Sequence, residues 1–155
     1  MTEFREFLAA DAVLDRVTAT TKKNLFQLIA RELARRCNVS AAEIADALNQ
    51  REKLGSTGFG SGVAIPHGRI EGLSHVTGLF VRLAQPLAYD AVDNLPVDLV
   101  FVLLSPKQAS VSHLKALAQV SRAFRNRQFV DNLRGAMSVD ALYALFATLE
   151  TRSAA

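Results

Sequence analysis

A chain of 155 residues, half of them hydrophobic and 21% charged, has the length and balance of one domain around one sizeable core, which excludes a fibrous or disordered protein. Its 18 basic and 15 acidic side chains leave a formal charge of +3 with no long basic block, which argues against a nucleic-acid partner. A lone cysteine, Cys37, rules out an internal disulfide and suits a small core residue; with no long apolar run and no basic-then-apolar N-terminus, the expectation is a cytoplasmic protein without direct membrane insertion.

From Thr21 to Cys37, Leu25, Phe26, Leu28, Ile29 and Leu33 recur at near-helical spacing, which predicts an amphipathic helix ended by Asn38. Ser40-Ala-Ala-Glu43 has the form of a capping box, in which serine and glutamate each satisfy a free amide at the start of a second helix, running to about Glu52. Between Leu54 and Gly62 four glycines are interleaved with Ser56, Thr57 and Ser61, so a backbone-determined loop without regular structure is expected, and function is expected to concentrate there. Val63-Ala64-Ile65 reads as a short strand stopped by Pro66. Val76 to Leu83 and Val97 to Leu104 are β-rich and apolar at most positions, which predicts strands buried on both faces. After Pro106 the spacing is helical again: Val111 to Phe124, Gln128 to Arg134, and Ser138 to Leu149 with Ser138 as N-cap.

Helices, then strands, then helices imply an α/β fold, a single domain over residues 1–155 with a mixed β-sheet sandwiched between α-helices. The two longer strands, joined by Gln85 to Pro96, either pair antiparallel or are joined across the sheet, and the strand order stays open. Arg122, Arg125, Arg127 and Arg134 form the one basic cluster, which reads as a solvated helix face or as a docking surface for an acidic protein.

The three histidines differ in setting. His67 follows Pro66 at a strand end and precedes Gly68, so its ring should project from a fixed backbone toward an approaching molecule. An imidazole nitrogen is nucleophilic only when unprotonated, and an ordinary pKa near neutrality leaves a reactive fraction. The plainer alternative is a loop histidine with no role. His113 falls near a helix start beyond the Val97 to Leu104 strand, where free amides and the helix dipole favour a neutral ring and attract anions; alternatively it packs beside Leu117. His75 opens a strand without a comparable partner and reads as structural. A zinc site drawing on all three would lack any short ligand motif. The glycine-rich run also lacks the Gly-Lys-Ser/Thr ending of a P-loop.

The run from Arg51 to Gly68 resembles the active-site signature of the type-2 EIIA family of the bacterial phosphotransferase system. Glu52, the Phe59-Gly60 pair seven positions later, Val63-Ala64-Ile65 and Pro66-His67-Gly68 fill its places. The resemblance implies that His67 accepts a phosphoryl group, that Arg51 and His113 stabilise it, and that Ser56, Thr57 and Ser61 shape a loop pocket, with no metal and no organic cofactor. It also implies the phosphotransferase fold, a mixed sheet between helices. Sugar-specific members often carry glutamate six residues before the histidine, where this chain has Ser61, so a mechanism needing a carboxylate there is not expected. The uninterrupted loop and single domain look more like the nitrogen-regulatory branch, which takes phosphate from an HPr-like protein and regulates target proteins. The alternative is a fructose- or mannitol-type carrier that passes phosphate to an EIIB domain. A binding module that keeps the fold and uses His67 only as a surface residue is the competing class.

Overall fold

A computed structural model describes residues 3–154, with side chains described over 3–149. A short helix α1 (Phe4–Phe7) and strand β1 (Val13–Val17) come first; neither stands out in the sequence, because one is a single turn and the other carries Asp15 and Arg16. Helix α2 (Lys22–Cys37) begins where the Thr21 hydroxyl accepts the Asn24 amide and ends where Asn38 turns left-handed at φ 56°. Helix α3 (Ala41–Lys53) starts with Ser40 Oγ accepting the Glu43 amide at 3.4 Å. That is half of the expected capping box: the described residues include no return bond from the Ser40 amide to the Glu43 carboxylate. Cys37 is half-buried at the end of α2 rather than deep in the core.

The glycine-rich segment is not wholly irregular. Gly58–Gly60 form strand β2, which pairs antiparallel with β3 (Val63–Ala64) through the two-residue turn Ser61-Gly62. Both turn residues have positive φ, 57° and 81°, the condition for a tight hairpin that matches strand twist, and glycine meets it without strain. His67 likewise opens a further strand, β4 (His67–Ile70), instead of trailing one. Strand β5 (Thr77–Leu87) runs past the expected end at Leu83, and β6 (Val97–Pro106) is almost wholly buried.

The sheet order is β1-β5-β6-β3-β2, with β4 also on β6. β5 and β6 pair antiparallel, whereas β1 with β5, and β3 and β4 with β6, are parallel. Val63 lies opposite Leu99 and His67 opposite Leu103, so β3 and β4 keep one register along β6. They are one strand broken at Ile65-Pro66, where proline has no amide to give the ladder and the Ile65 amide turns to the Thr57 carbonyl at 2.9 Å. Three helices complete the chain: α4 (Ser110–Arg125), α5 (Arg127–Gly135), capped by Asn126, and α6 (Val139–Ala154), whose Ser138 hydroxyl accepts the Ala141 amide.

Successive residues of β4 face opposite layers. Gly68 lies so near α3 that an added Cβ would sit 3.1 Å from Ala47 Cβ, while the His67 ring meets His113 of α4. On the α4 side Phe4, Phe7, Phe80, Phe101, Phe124, Phe129 and Phe146 form one aromatic cluster, all at least 95% buried. On the other side Phe26 of α2 packs edge-on against Tyr89.

Candidate active site

The break between β3 and β4 positions His67. The Ile65 carbonyl lies 2.9 Å from Nδ1 of the ring. A carbonyl can only accept, so Nδ1 carries the proton and Nε2 keeps its lone pair. Into that lone pair the Arg51 Nε–H donates at 3.2 Å. Arg51 stands in the last turn of α3, and its Nη1 is held by the Gly55 carbonyl at 2.9 Å. Burial, with the neighbouring guanidinium, pushes the His67 pKa below its ordinary value of 6.5, against opposition from the Ile65 bond and the Glu52 charge. The ring is therefore neutral at neutral pH, with Nε2 as its basic nitrogen.

His113 sits in the first turn of α4 and is 6% exposed. Its ring centroid is 5.8 Å from that of His67, and its Nδ1 lies 2.6 Å from Ser105 Oγ on β6. Burial first, then the charge that His67 carries once protonated at low pH and the charge of Arg69, push its pKa down to about 4. Folding thus gathers Arg51, His67 and His113 from α3, β4 and α4.

The three loop residues are placed differently. Thr57 is buried, its hydroxyl donating to Glu52 Oε1 at 2.5 Å and meeting Tyr89 Oη at 2.8 Å, while its amide donates to Glu52 Oε2 at 3.0 Å. Ser56 Oγ accepts the Gly58 amide at 3.1 Å. Ser61 donates its amide to Asp93 Oδ2 at 2.9 Å and its carbonyl accepts from Arg134 at 2.7 Å. All these bonds run within the loop and its supports, and none reaches His67. Lys22 completes the support, with Nζ 2.9 Å from Glu52 Oε2 and 4.4 Å from the centre of the Tyr89 ring. Burial works to raise the Glu52 pKa, but bonds from Thr57 and Lys22 hold it below the ordinary value, so the carboxylate is charged.

Of these supporting residues, Ser105 left a trace in the sequence: apart from Asp98 it is the one polar side chain in β6. Lys22 and Tyr89 left none, since only the fold brings them to Glu52. His75 lies just before β5 with its Nδ1 on Ser74 Oγ, and the described residues hold no group of His, Cys, Asp or Glu arranged for a metal ion. Among the clustered arginines, Arg134 is committed to Asp98 through two bonds of 2.8 and 2.9 Å, whereas Arg122, Arg125 and Arg127 are exposed. A groove of about 930 Å³, lined among others by Phe59, Leu95, Arg125 and Arg127, lies apart from the histidines. No helix among the described residues is long and apolar enough to cross a membrane.

Known proteins share this arrangement of elements. Residues 6–148 match the family model for the phosphoenolpyruvate-dependent sugar phosphotransferase system, EIIA 2. The nitrogen regulatory protein of Bradyrhizobium diazoefficiens is 39% identical over 142 residues, covering 92% of this chain and 93% of the relative. That of Escherichia coli K12 is 36% identical over 144 residues, covering 92% and 88%. The crystal structure of the nitrogen regulatory protein IIA-Ntr from Neisseria meningitidis superposes with a TM-score of 0.85 at 39% identity, covering 91% of this chain and 97% of that one. A fructose-specific EIIA component from Haloferax volcanii is 36% identical over 93 residues, 60% of each chain. The matched span, the identity of these relatives and the fold agree: the chain belongs to the EIIA type-2 family of the phosphotransferase system, and its likeness to the nitrogen regulatory proteins extends further along the chain than its likeness to the sugar-specific component.

Proposed function

We propose that the protein is a nitrogen-regulatory phosphocarrier that takes a phosphoryl group from an HPr-like protein onto Nε2 of His67 and regulates target proteins according to its phosphorylation state. The observation that carries this reading is the state of the His67 ring: neutral, proton on Nδ1, lone pair on Nε2, with a guanidinium against that same nitrogen.

In the transfer step the Nε2 lone pair forms a bond to phosphorus while the P–N bond to the donor's histidine breaks and its electron pair returns to the donor ring. No proton has to leave His67 first. The ring gains positive charge as the bond forms, and the Ile65 carbonyl on Nδ1–H stabilises it. The Arg51 Nε–H loses the lone pair it had and is placed to donate to a phosphoryl oxygen instead, as guanidinium groups do well. His113, neutral and within ring contact, supplies a second donor. Ser61, at φ 57° in the hairpin turn, offers no carboxylate, so the proposed transfer uses none there.

Incubation with phosphorylated HPr-like protein should add one acid-labile phosphoryl group, read by mass spectrometry, and His67→Ala should abolish it in a folded protein. Labelling of that variant at another residue would refute the assignment. Rapid onward transfer to a sugar-specific EIIB domain, with no phosphorylation-dependent binding of other proteins, would favour the fructose- or mannitol-type reading.

A further inference from the structure

Ser105 is a fully buried serine in a strand of large apolar residues, and it belongs to neither the loop nor the helix start that frame the site. Among the described residues its hydroxyl has one hydrogen-bond partner, Nδ1 of His113 at 2.6 Å. A neutral imidazole has one donor and one acceptor nitrogen, so two arrangements exist. If Nδ1 carried the proton and donated to Ser105, the serine O–H would be left buried with no acceptor, at a substantial desolvation cost. If the serine donates to Nδ1, its proton is used, and the N–H left over is that of His113 Nε2, which is not among the fully buried side-chain atoms without a partner and so can be met by water, a much milder loss. We propose that Ser105 is a positioning residue whose hydroxyl donates to Nδ1 of His113 and thereby sets the proton of that ring on Nε2.

The two histidines then hold opposite tautomers. His67 carries its proton on Nδ1, donated to Ile65, and keeps the lone pair on Nε2. His113 keeps its lone pair on Nδ1, against Ser105, and presents Nε2–H, which has no other hydrogen-bond partner among the described residues. One ring is thereby a nucleophile and the other a donor, although both are neutral and their centres lie 5.8 Å apart. A flipped His113 would turn a lone pair toward the phosphoryl oxygens and repel them. This rests on the reading of His67 as the phosphoryl acceptor.

Histidine labelled with ¹⁵N, observed by long-range proton–nitrogen correlation in the unphosphorylated protein at neutral pH, reads the tautomer directly. The expected result is His113 protonated on Nε2 with a hydrogen-bonded Nδ1. In Ser105→Ala the Nδ1 resonance should move to the position of a free acceptor, and transfer from phosphorylated HPr-like protein should slow by roughly three- to tenfold, a part of the 10²–10³-fold loss expected when a transition-state donor is removed outright. Ser105→Thr, which keeps a hydroxyl on the strand, should restore both. A wild-type His113 protonated on Nδ1, or a wild-type transfer rate in Ser105→Ala, would overturn the proposal. Because the tautomer is read without any phosphate, it is decided even if His67 proves not to be the acceptor, a separate failure seen as absence of label on the wild type.

Discussion

His113 is where a single residue's protonation touches both stability and transfer. As a base whose folded pKa is depressed, it adds stability that is fully present above its unfolded pKa of about 6.5 and is lost as pH falls toward the folded value of about 4. Within that window the unfolded chain binds a proton that the folded chain refuses. Urea titrations at pH 7 and pH 5 should therefore show wild type losing roughly 1–2 kcal/mol more than His113→Ala between the two conditions. On the proposed mechanism the same variant loses a donor to the phosphoryl oxygens while the proposed acceptor stays in place, so transfer should slow by about 2–4 kcal/mol without stopping. Rapid-quench rates in both directions check this, and unchanged rates would return His113 to a packing role beside Leu117.

Among the elements, the loop between α3 and β2 holds the site in shape although none of its side chains hydrogen-bonds to His67. Glu52 stands in the last turn of α3 next to Arg51 and accepts from Lys22 of α2, from the Thr57 amide and from the Thr57 hydroxyl, with Tyr89 alongside. The carboxylate thus fixes the loop against two helices, and Arg51 takes its second anchor from Gly55 in the same loop. Glu52→Ala should strand a half-buried cation and two buried donors and cost about 2–4 kcal/mol in urea unfolding. Phosphorylation of His67 in that variant should also be slower, because the loop that holds Arg51 loses its clasp. A variant as stable as wild type would show that Lys22, Thr57 and Tyr89 find other partners.

Across the whole molecule, the sheet carries the proposed active site beside Leu103 of β6 and the aromatic core beside Phe101 of the same strand. Phe101 lies near the centre of β6, opposite Phe80 on β5, and its ring meets those of Phe4, Phe7, Phe80, Phe124 and Phe146. It joins α1, α4 and α6 to the sheet in one contact set. Phe101→Ala should cost about 3–5 kcal/mol, through lost burial and the cavity left behind. Against the 5–15 kcal/mol that holds a typical domain folded, such a loss leaves a protein that melts far earlier. Calorimetry reads the drop in Tm, and a fall of only a few degrees would mean that the aromatic rings repack into the space.

What was legible in the sequence was what neighbours along the chain dictate. Helical spacing, the Ser40 and Ser138 cap positions, the buried β6 run and the signature around His67 all depend on residues a few places apart, so α2 to α6 and the proposed acceptor could be read directly. The Ser61-Gly62 hairpin was hidden inside a glycine-rich segment because glycine permits many conformations and selects none. Short β1 carried too many polar residues to announce itself. Tertiary structure alone decided the strand order, the continuation of β3 into β4 past Pro66, and the assembly of Lys22, Glu52, Thr57 and Tyr89. It also decided which nitrogen of His67 is free, since a ring's tautomer is set by the acceptor and donor that the fold brings against it, Ile65 on one side and Arg51 on the other.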